Sequence, residues 1–312
     1  MRRKLIFYLV VFILAVISLI IVKSVTSQSL DIDLLRTQQI IPWGVKSVNA
    51  PSIWAKTTGK GIKIAILDSG IDFQHTDLGS NIKQGYNAIE PNTLPNDDYG
   101  HGTLVAGIIA AKNNSVGVVG VAPDAEIYPV KVLDKYGEGD ISDVARGIDW
   151  CIANKIQIIN MSFAIEDDKP LLRSSIQNAI DAGIIIVASA SNTFGGKVGY
   201  PASYEQVISV TSVDKKKRLS KEPPSGKIDF SAPGIGIIST AIDGTYAEFS
   251  GNSLAAPHVT GCIALMLENP LKYGLSNDKK KLVTSVFGVL KNLSINLGNK
   301  KLYGEGFIQM NN

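Results

Sequence analysis

The chain reads as an α/β protein of three layers, α/β/α, with a mostly parallel central sheet. Three observations predict this class. The strand-like runs are short and continuously apolar rather than alternating, which suits strands buried on both faces. Helical patterns of ten to fourteen residues separate them, as crossover connections require. The composition, 312 residues with 45% hydrophobic and 19% charged, is globular and free of repeats or low-complexity segments.

Taken in order, Gly61 to Leu67 is a compact β run that ends at Asp68-Ser69-Gly70. His101 to Ala111 reads as a helix, Glu126 to Leu133 as a strand and Ile141 to Asn154 as a helix with one apolar face. Ile156 to Asn160 is a short buried strand, followed by a helix from Pro170 to Ala182 and an apolar strand from Gly183 to Ala188. Val207 to Val213 is a further strand. An Ala-rich apolar helical pattern then follows Ser253. In open sheets of this kind ligands sit at the carboxyl ends of the strands. Asp68 stands at such an end, and Asn192 follows the strand 183–188 in the loop Ser189-Ala190-Ser191-Asn192-Thr193.

The N-terminus has another character. Met1-Arg2-Arg3-Lys4 precedes an apolar run from Leu5 to Val22, broken only by Ser18 and closed by Lys23. Eighteen helical residues span about 27 Å, close to the thickness of a bilayer's hydrocarbon core. Residues 1–23 are therefore expected to be a membrane anchor or signal segment, with the uncleaved anchor preferred. Residues 24–40 would be a short tether and 41–312 the globular domain. The basic leader places everything after Lys23 outside the cytoplasm.

A net charge of +3 is too weak to imply a nucleic-acid partner. The runs Lys215–Arg218 and Lys279–Lys281 read as solvated loops or helix ends. Cys151 and Cys262 sit in apolar helical patterns without metal-ligand spacing, so buried free thiols are expected.

Ser253 lies where the polar turn Ser250-Gly251-Asn252 runs into a helix. A hydroxyl there either caps the helix or acts where the dipole favours developing negative charge. A serine hydroxyl is a weak nucleophile and needs an adjacent base. Among only three histidines, His101 opens a small-residue helix between Gly100 and Gly102. Imidazole titrates near neutrality and suits the task. A buried carboxylate must hold its ring in the correct tautomer, and Asp68 is the candidate.

The motifs Ile66-Leu67-Asp68-Ser69-Gly70-Ile71, Gly100-His101-Gly102-Thr103-Leu104-Val105-Ala106-Gly107, the loop ending at Asn192, and Gly251-Asn252-Ser253-Leu254-Ala255-Ala256-Pro257-His258-Val259 occur in that order. Asp, His, Ser is the subtilisin order of triad residues. Over roughly residues 39–312 the chain resembles the subtilisin-like serine proteases (subtilases, family S8). The resemblance implies endopeptidase action on peptide or protein substrates through an acyl-enzyme, with Asp68, His101 and Ser253 catalytic. It makes Asn192 and the Ser253 backbone N–H the donors to the oxyanion. Substrate would lie as an added strand between Gly137-Glu138-Gly139 and Ser162-Phe163-Ala164, with Ser189, Ala190, Ser191 and Gly199 about the pocket. His75 matches a non-catalytic position, and His258 is expected to be structural.

The polar loop Lys112-Asn113-Asn114-Ser115-Val116-Gly117-Val118 resembles the family's structural calcium loop. The ligands implied are the side chains of Gln39, Asp77 and Asn114 and the carbonyls of Lys112, Val116 and Val118, all hard oxygen donors suited to Ca²⁺. A weaker second cation site is expected near Ala202, Tyr204 and Val207.

Three residues depart from the family pattern. Ala164 and Ser191 stand where glycines are usual and should narrow the cleft and the mouth of the S1 pocket. Leu104 replaces a second histidine and should alter packing beside the base. Asp134, Glu138 and Asp140 would favour basic residues in the substrate. No long propeptide fits between Lys23 and Pro42. Together these features favour a monomeric cell-surface processing protease, such as one that removes leader peptides. A general secreted degradative protease is the alternative. A catalytically silent peptide-binding module, or an enzyme whose acyl intermediate is resolved by an amine, stands further off.

Overall fold

The computed structural model describes residues 35–191 and 196–311, all within one compact unit. The anchor or signal segment expected over 1–23, most of the tether, and Asn192 lie outside the described residues. Among the described residues no helix is long and apolar enough to cross a membrane.

The chain begins with strand β1 (Gln39–Ile40), a short helix α1 (Trp43–Ser47) and strand β2 (Lys63–Asp68). After β3 (Tyr86–Asn87) comes α2 (His101–Ala110), then β4 (Gly117–Val118), β5 (Glu126–Lys131) and α3 (Ile141–Ala153). Next are β6 (Ile158–Met161), α4 (Pro170–Asp181), β7 (Ile185–Ser189), β8 (Ile208–Val213) and β9 (Phe230–Pro233). The antiparallel hairpin β10 (Ile237–Ala241) and β11 (Thr245–Phe249) leads through a 3₁₀ turn, Asn252–Leu254, into α5 (Ala255–Glu268). The chain closes with α6 (Lys279–Leu293), β12 (Ser294–Ile295), α7 (Lys300–Tyr303) and β13 (Phe307–Ile308).

Nine strands form the main sheet in the order β12-β13-β9-β8-β7-β6-β2-β5-β3. Every neighbouring pair is parallel except β12 with β13. The expected α/β/α class is therefore present. Its central strands carry Ile64, Ile66, Ile158, Ile186 and Val210, all buried, so both faces need cover. Helix α5 supplies it over β6 to β9 and is buried from Ala255 through Met266. That burial explains its apolar surface all round. On another face Phe230 of β9 packs its ring against Phe287 of α6 at 5.1 Å.

Several elements were not expected: β9, the β10–β11 hairpin and α6. The run Lys279–Lys281 forms the first turn of α6, an unfavourable place for cations on dipole grounds. Asp278 offsets this by accepting the Lys280 N–H as N-cap. Cys151 and Cys262 are buried free thiols, and burial pushes both thiols up in pKa, so they stay neutral.

Candidate active site

Parallel strands bring their carboxyl ends to one edge of the sheet, and the site residues gather there. Asp68 is the last residue of β2, Lys131 the last of β5 and Ser189 the last of β7, while Ser162 follows β6 directly. Asp68 is fully buried, and its Oδ1 accepts the Ser69 N–H at 2.8 Å. Both carboxylate oxygens face His101 Nδ1, at 2.8 and 2.9 Å. A carboxylate can only accept, so Nδ1 carries the proton and Nε2 is left as a base. The imidazole is 21% exposed while the carboxylate is sealed off, so the ring meets the cleft and the acid does not. Burial works against the imidazolium, but the Asp68 charge, its hydrogen bond and the charge of Asp97 outweigh it and raise the pKa of His101.

This close approach depends on Gly102. A Cβ there would stand 2.0 Å from the Gly70 carbonyl oxygen and 3.3 Å from Asp68 Cβ. Only glycine lets the first turn of α2 press against the end of β2.

Ser253 sits in the 3₁₀ turn before α5, half-buried, and its hydroxyl makes no hydrogen bond to a described residue. Neither the turn nor α5 has a side-chain cap, so the capping alternative for this hydroxyl is set aside. The turn is fastened from outside. Asn252 Oδ1 accepts from Ser212 N at 2.9 Å and Ser212 Oγ at 2.7 Å, at the end of β8. Gly251 N donates to the Gly234 carbonyl at 2.7 Å. Leu254, beside Ser253, joins Leu104 and Ile108 of α2 and Ile237 of β10 in one buried apolar cluster. Leu104, a departure from the family pattern, thus packs the helix of His101 onto the turn of Ser253.

The other histidines serve the fold. His258 is fully buried with Nδ1 2.8 Å from the Leu254 carbonyl oxygen, and burial lowers its pKa to about 4. His75 is buried with Nε2 2.9 Å from the Thr245 carbonyl oxygen.

Of the segments expected to bind substrate, 137–139 lies against Tyr99, two residues before His101, and 162–164 follows β6. Asp134 Oδ1 accepts from Tyr136 N and Glu138 N, which folds Gly137 into a left-handed turn at φ +76°. A Cβ on Gly137 would meet the Tyr99 ring at 2.7 Å. Asp140 caps α3 through Ser142 N. Backbone hydrogen bonds hold the Asp134 carboxyl, and bonds from Ser142 the Asp140 carboxyl, below the usual carboxylate range. Glu138 and Gly139 are exposed, Phe163 and Ala164 half-buried, and Ser162, Ser189, Ala190 and Ser191 buried. Gly199 N donates to the Ala190 carbonyl, and a Cβ at 199 would lie 2.9 Å from the Ala164 methyl. Ala164 therefore projects into space that Gly199 leaves open.

In the loop expected to hold calcium, β1 pairs with β4 in parallel. Gln39 Nε2 faces the carbonyl oxygens of Lys112, Val116 and Val118 and Oδ1 of Asn114, at 2.7 to 3.2 Å. An amide nitrogen has two hydrogens and cannot serve four acceptors. The nitrogen stands where hard oxygens converge, as a cation would. Buried Asp77 completes the set, accepting from Asn114 Nδ2 at 3.0 Å and Val118 N at 2.9 Å. The donors fit Ca²⁺. They are mostly carbonyls, which is why no cluster of three or more His, Cys, Asp or Glu able to hold a metal occurs among the described residues.

The second cation site was expected near Ala202, Tyr204 and Val207. Lys227 Nζ donates to the Val207 carbonyl at 2.6 Å and pairs with Asp229. The Val207 carbonyl is thereby taken by an ammonium of the chain itself.

Sequence reasoning also missed Asp97, which binds the first turn of α2 and Ser69, and Lys131, whose buried ammonium donates to the Ser69 carbonyl and to Asp98, each at 2.6 Å. The signal for Asp97 was present, since an Asp four residues before a helix-opening His after glycine is a turn-and-cap pattern.

The parallel sheet thus carries a buried Asp–His pair at its carboxyl edge, and the turn that holds Ser253 packs through Leu254 on the helix that His101 opens. The Subtilase family (peptidase S8) profile matches residues 59–306. The chain is 43% identical to Minor extracellular protease Epr of Bacillus subtilis (strain 168) over 227 residues, covering 72% of this chain and 35% of that protein. It is 38% identical to M-protease of Shouchella clausii (strain KSM-K16) over 281 residues, covering 89% of this chain and 71% of that protein. Subtilisin E of Bacillus subtilis (strain 168) is 38% identical over 279 residues, covering 87% and 71%. The chain belongs to the subtilase family, the subtilisin-like serine endopeptidases.

Proposed function

We propose that this endopeptidase cleaves peptide bonds with Ser253 as nucleophile, His101 as general base and acid, and Asp68 as the group that orients and stabilises the imidazolium. The observation that carries it is the two-oxygen contact of buried Asp68 with His101 Nδ1. Ser253 Oγ attacks the scissile carbonyl carbon while its proton passes to His101 Nε2. The imidazolium returns that proton to the leaving amine, and a water then repeats the sequence on the acyl-enzyme. The oxyanion is received by the Ser253 N–H and the Asn192 side chain, an assignment that rests on sequence alone.

Ca²⁺ bound in the loop 112–118 would supply the positive charge its converging oxygens call for, and the residues that would hold it are Gln39, Asp77, Lys112, Asn114, Val116 and Val118. The Ala164 methyl facing Gly199 favours a restricted S1 pocket, hence a processing protease, with secreted leader-bearing peptides as the substrate class. The run Leu5–Val22 would hold it at the outer membrane face. A freely secreted enzyme is the second reading, favoured by the name of the relative Minor extracellular protease Epr.

Ser253→Ala, assayed on a peptide library scanned at P1, is expected to abolish cleavage by on the order of 10⁶-fold, the size that triads of this family show. The wild type is expected to prefer small P1 residues. Residual cleavage within a hundredfold of wild type would refute the nucleophile, and an even P1 profile would refute the restricted pocket.

A further inference from the structure

We propose that Asp97 is a positioning residue for the catalytic pair, fastening the strand end that carries Asp68 to the helix start that carries His101. The inference rests on the reading of those two residues as catalytic. Five donors converge on this one carboxylate. Oδ1 accepts from Ser69 Oγ at 2.8 Å, Gly100 N at 2.7 Å and Tyr99 N at 3.1 Å. Oδ2 accepts from Thr103 N at 2.8 Å and Thr103 Oγ1 at 2.6 Å. The donors come from the residue after Asp68, from the two residues before His101, and from the residue two beyond it.

The ties continue outward. Ser69 Oγ, while donating to Asp97, accepts the Gly102 N–H at 3.0 Å. Thr103 Oγ1 likewise accepts the Asp72 N–H at 2.9 Å. A helix cap needs only the bonds to its own turn. The bond to Ser69 has no such purpose, and it is the one that reaches the strand of Asp68. Next door, Asp98 anchors the same loop to Lys131, whose ammonium also holds the Ser69 carbonyl. Lys131 is the register partner of Asp68 on β5.

Charge accompanies geometry. The charged groups that act on His101 are Asp68 on β2 and Asp97 on the preceding loop, while Asp98 on that loop and Lys131 on β5 pair with each other. Where β10 and the Ser253 turn pack against α2, they present the apolar Ile237 and Leu254. Asp97 adds its field to that of Asp68 in favouring the imidazolium. Asparagine keeps the shape of Asp97 but has one acceptor oxygen and no charge, so both functions are lost together.

The test is the second-order rate of inactivation by a fluorophosphonate between pH 5 and 9, for wild type, Asp97→Asn and Ser69→Ala. Asp97→Asn is expected to react on the order of 10²-fold more slowly, since small misplacements of a base cost this much. The acid limb of its pH profile moves to lower pH, because the imidazolium has lost a stabilising charge. Ser69→Ala removes the bridge without removing charge, so it slows reaction several-fold with the limb in place. A wild-type rate and limb in Asp97→Asn, whatever its melting temperature, would overturn the proposal. Should Asp97→Asn not fold, a wild-type rate in Ser69→Ala overturns it instead. Failure of the wild-type chain itself to react would remove the reading of the triad, a separate outcome.

Discussion

His101 and Ser253, the base and the nucleophile of the mechanism we propose, are held in opposite ways. Around His101, Asp68, Asp97, Ser69 and Thr103 form a network of hydrogen bonds that fixes the ring through Nδ1 and leaves Nε2 to the cleft. Ser253 Oγ makes no hydrogen bond among the described residues, and position comes from Asn252, from backbone and from the apolar contact of Leu254 with Leu104. The difference follows from what each group must do. The base must keep one tautomer and one orientation while its charge changes, which needs fixed acceptors. The nucleophile must exchange its partner during the reaction, so a hydrogen bond to the fold would have to be broken first.

The contrast can be broken from either side. Loss of Asp97 should slow the reaction on the order of 10²-fold and shift its pH dependence as well. On the other side, Asn252→Ala removes the tie between the nucleophile turn and Ser212. It should lower kcat by about 10-fold to 10²-fold. The acid limb stays at its wild-type pH, because no charge near His101 has changed. Rate–pH profiles of the two variants on one peptide substrate check this, and a shifted limb in Asn252→Ala would contradict the division of labour.

The smallest effect on rate is expected from chelation. The Gln39–Val118 loop touches neither His101 nor Ser253 directly, although the Tyr246 hydroxyl lies against Asp77. A metal bound at a hundred times its Kd adds about 2.7 kcal/mol to stability. For a domain of this size that is a melting temperature lower by several degrees after EDTA treatment. Refilling with Ca²⁺ should restore it in a single saturable step, since Lys227 already engages the Val207 carbonyl of the second expected site. A melt unchanged by EDTA would remove calcium from the loop.

Much of this arrangement was legible in the sequence because its parts are local. Asp68 ends an apolar strand, His101 opens a small-residue helix, and Ser253 follows a polar turn; each setting is readable within about ten residues. What stayed hidden depends on pairs far apart along the chain. Leu104 was visible as an unusual residue, but its partner Leu254 lies in another motif, and nothing local joins them. Asp97 reads as a turn residue until Ser69 is placed beside it. Lys227 looks like an ordinary surface lysine until β8 and β9 align and set it against the Val207 carbonyl. The hairpin β10–β11 escaped notice because β11, Thr-Tyr-Ala-Glu-Phe, has only Tyr246 fully buried and offers little apolar pattern.

The most direct test of the central claim, that Asp68-oriented His101 activates Ser253, is mass-spectrometric mapping of a fluorophosphonate adduct on wild type and His101→Ala. The account predicts one adduct, on Ser253, in the wild type and its near-complete loss in the variant. An adduct on another residue, or equal labelling of Ser253 without the imidazole, would contradict it.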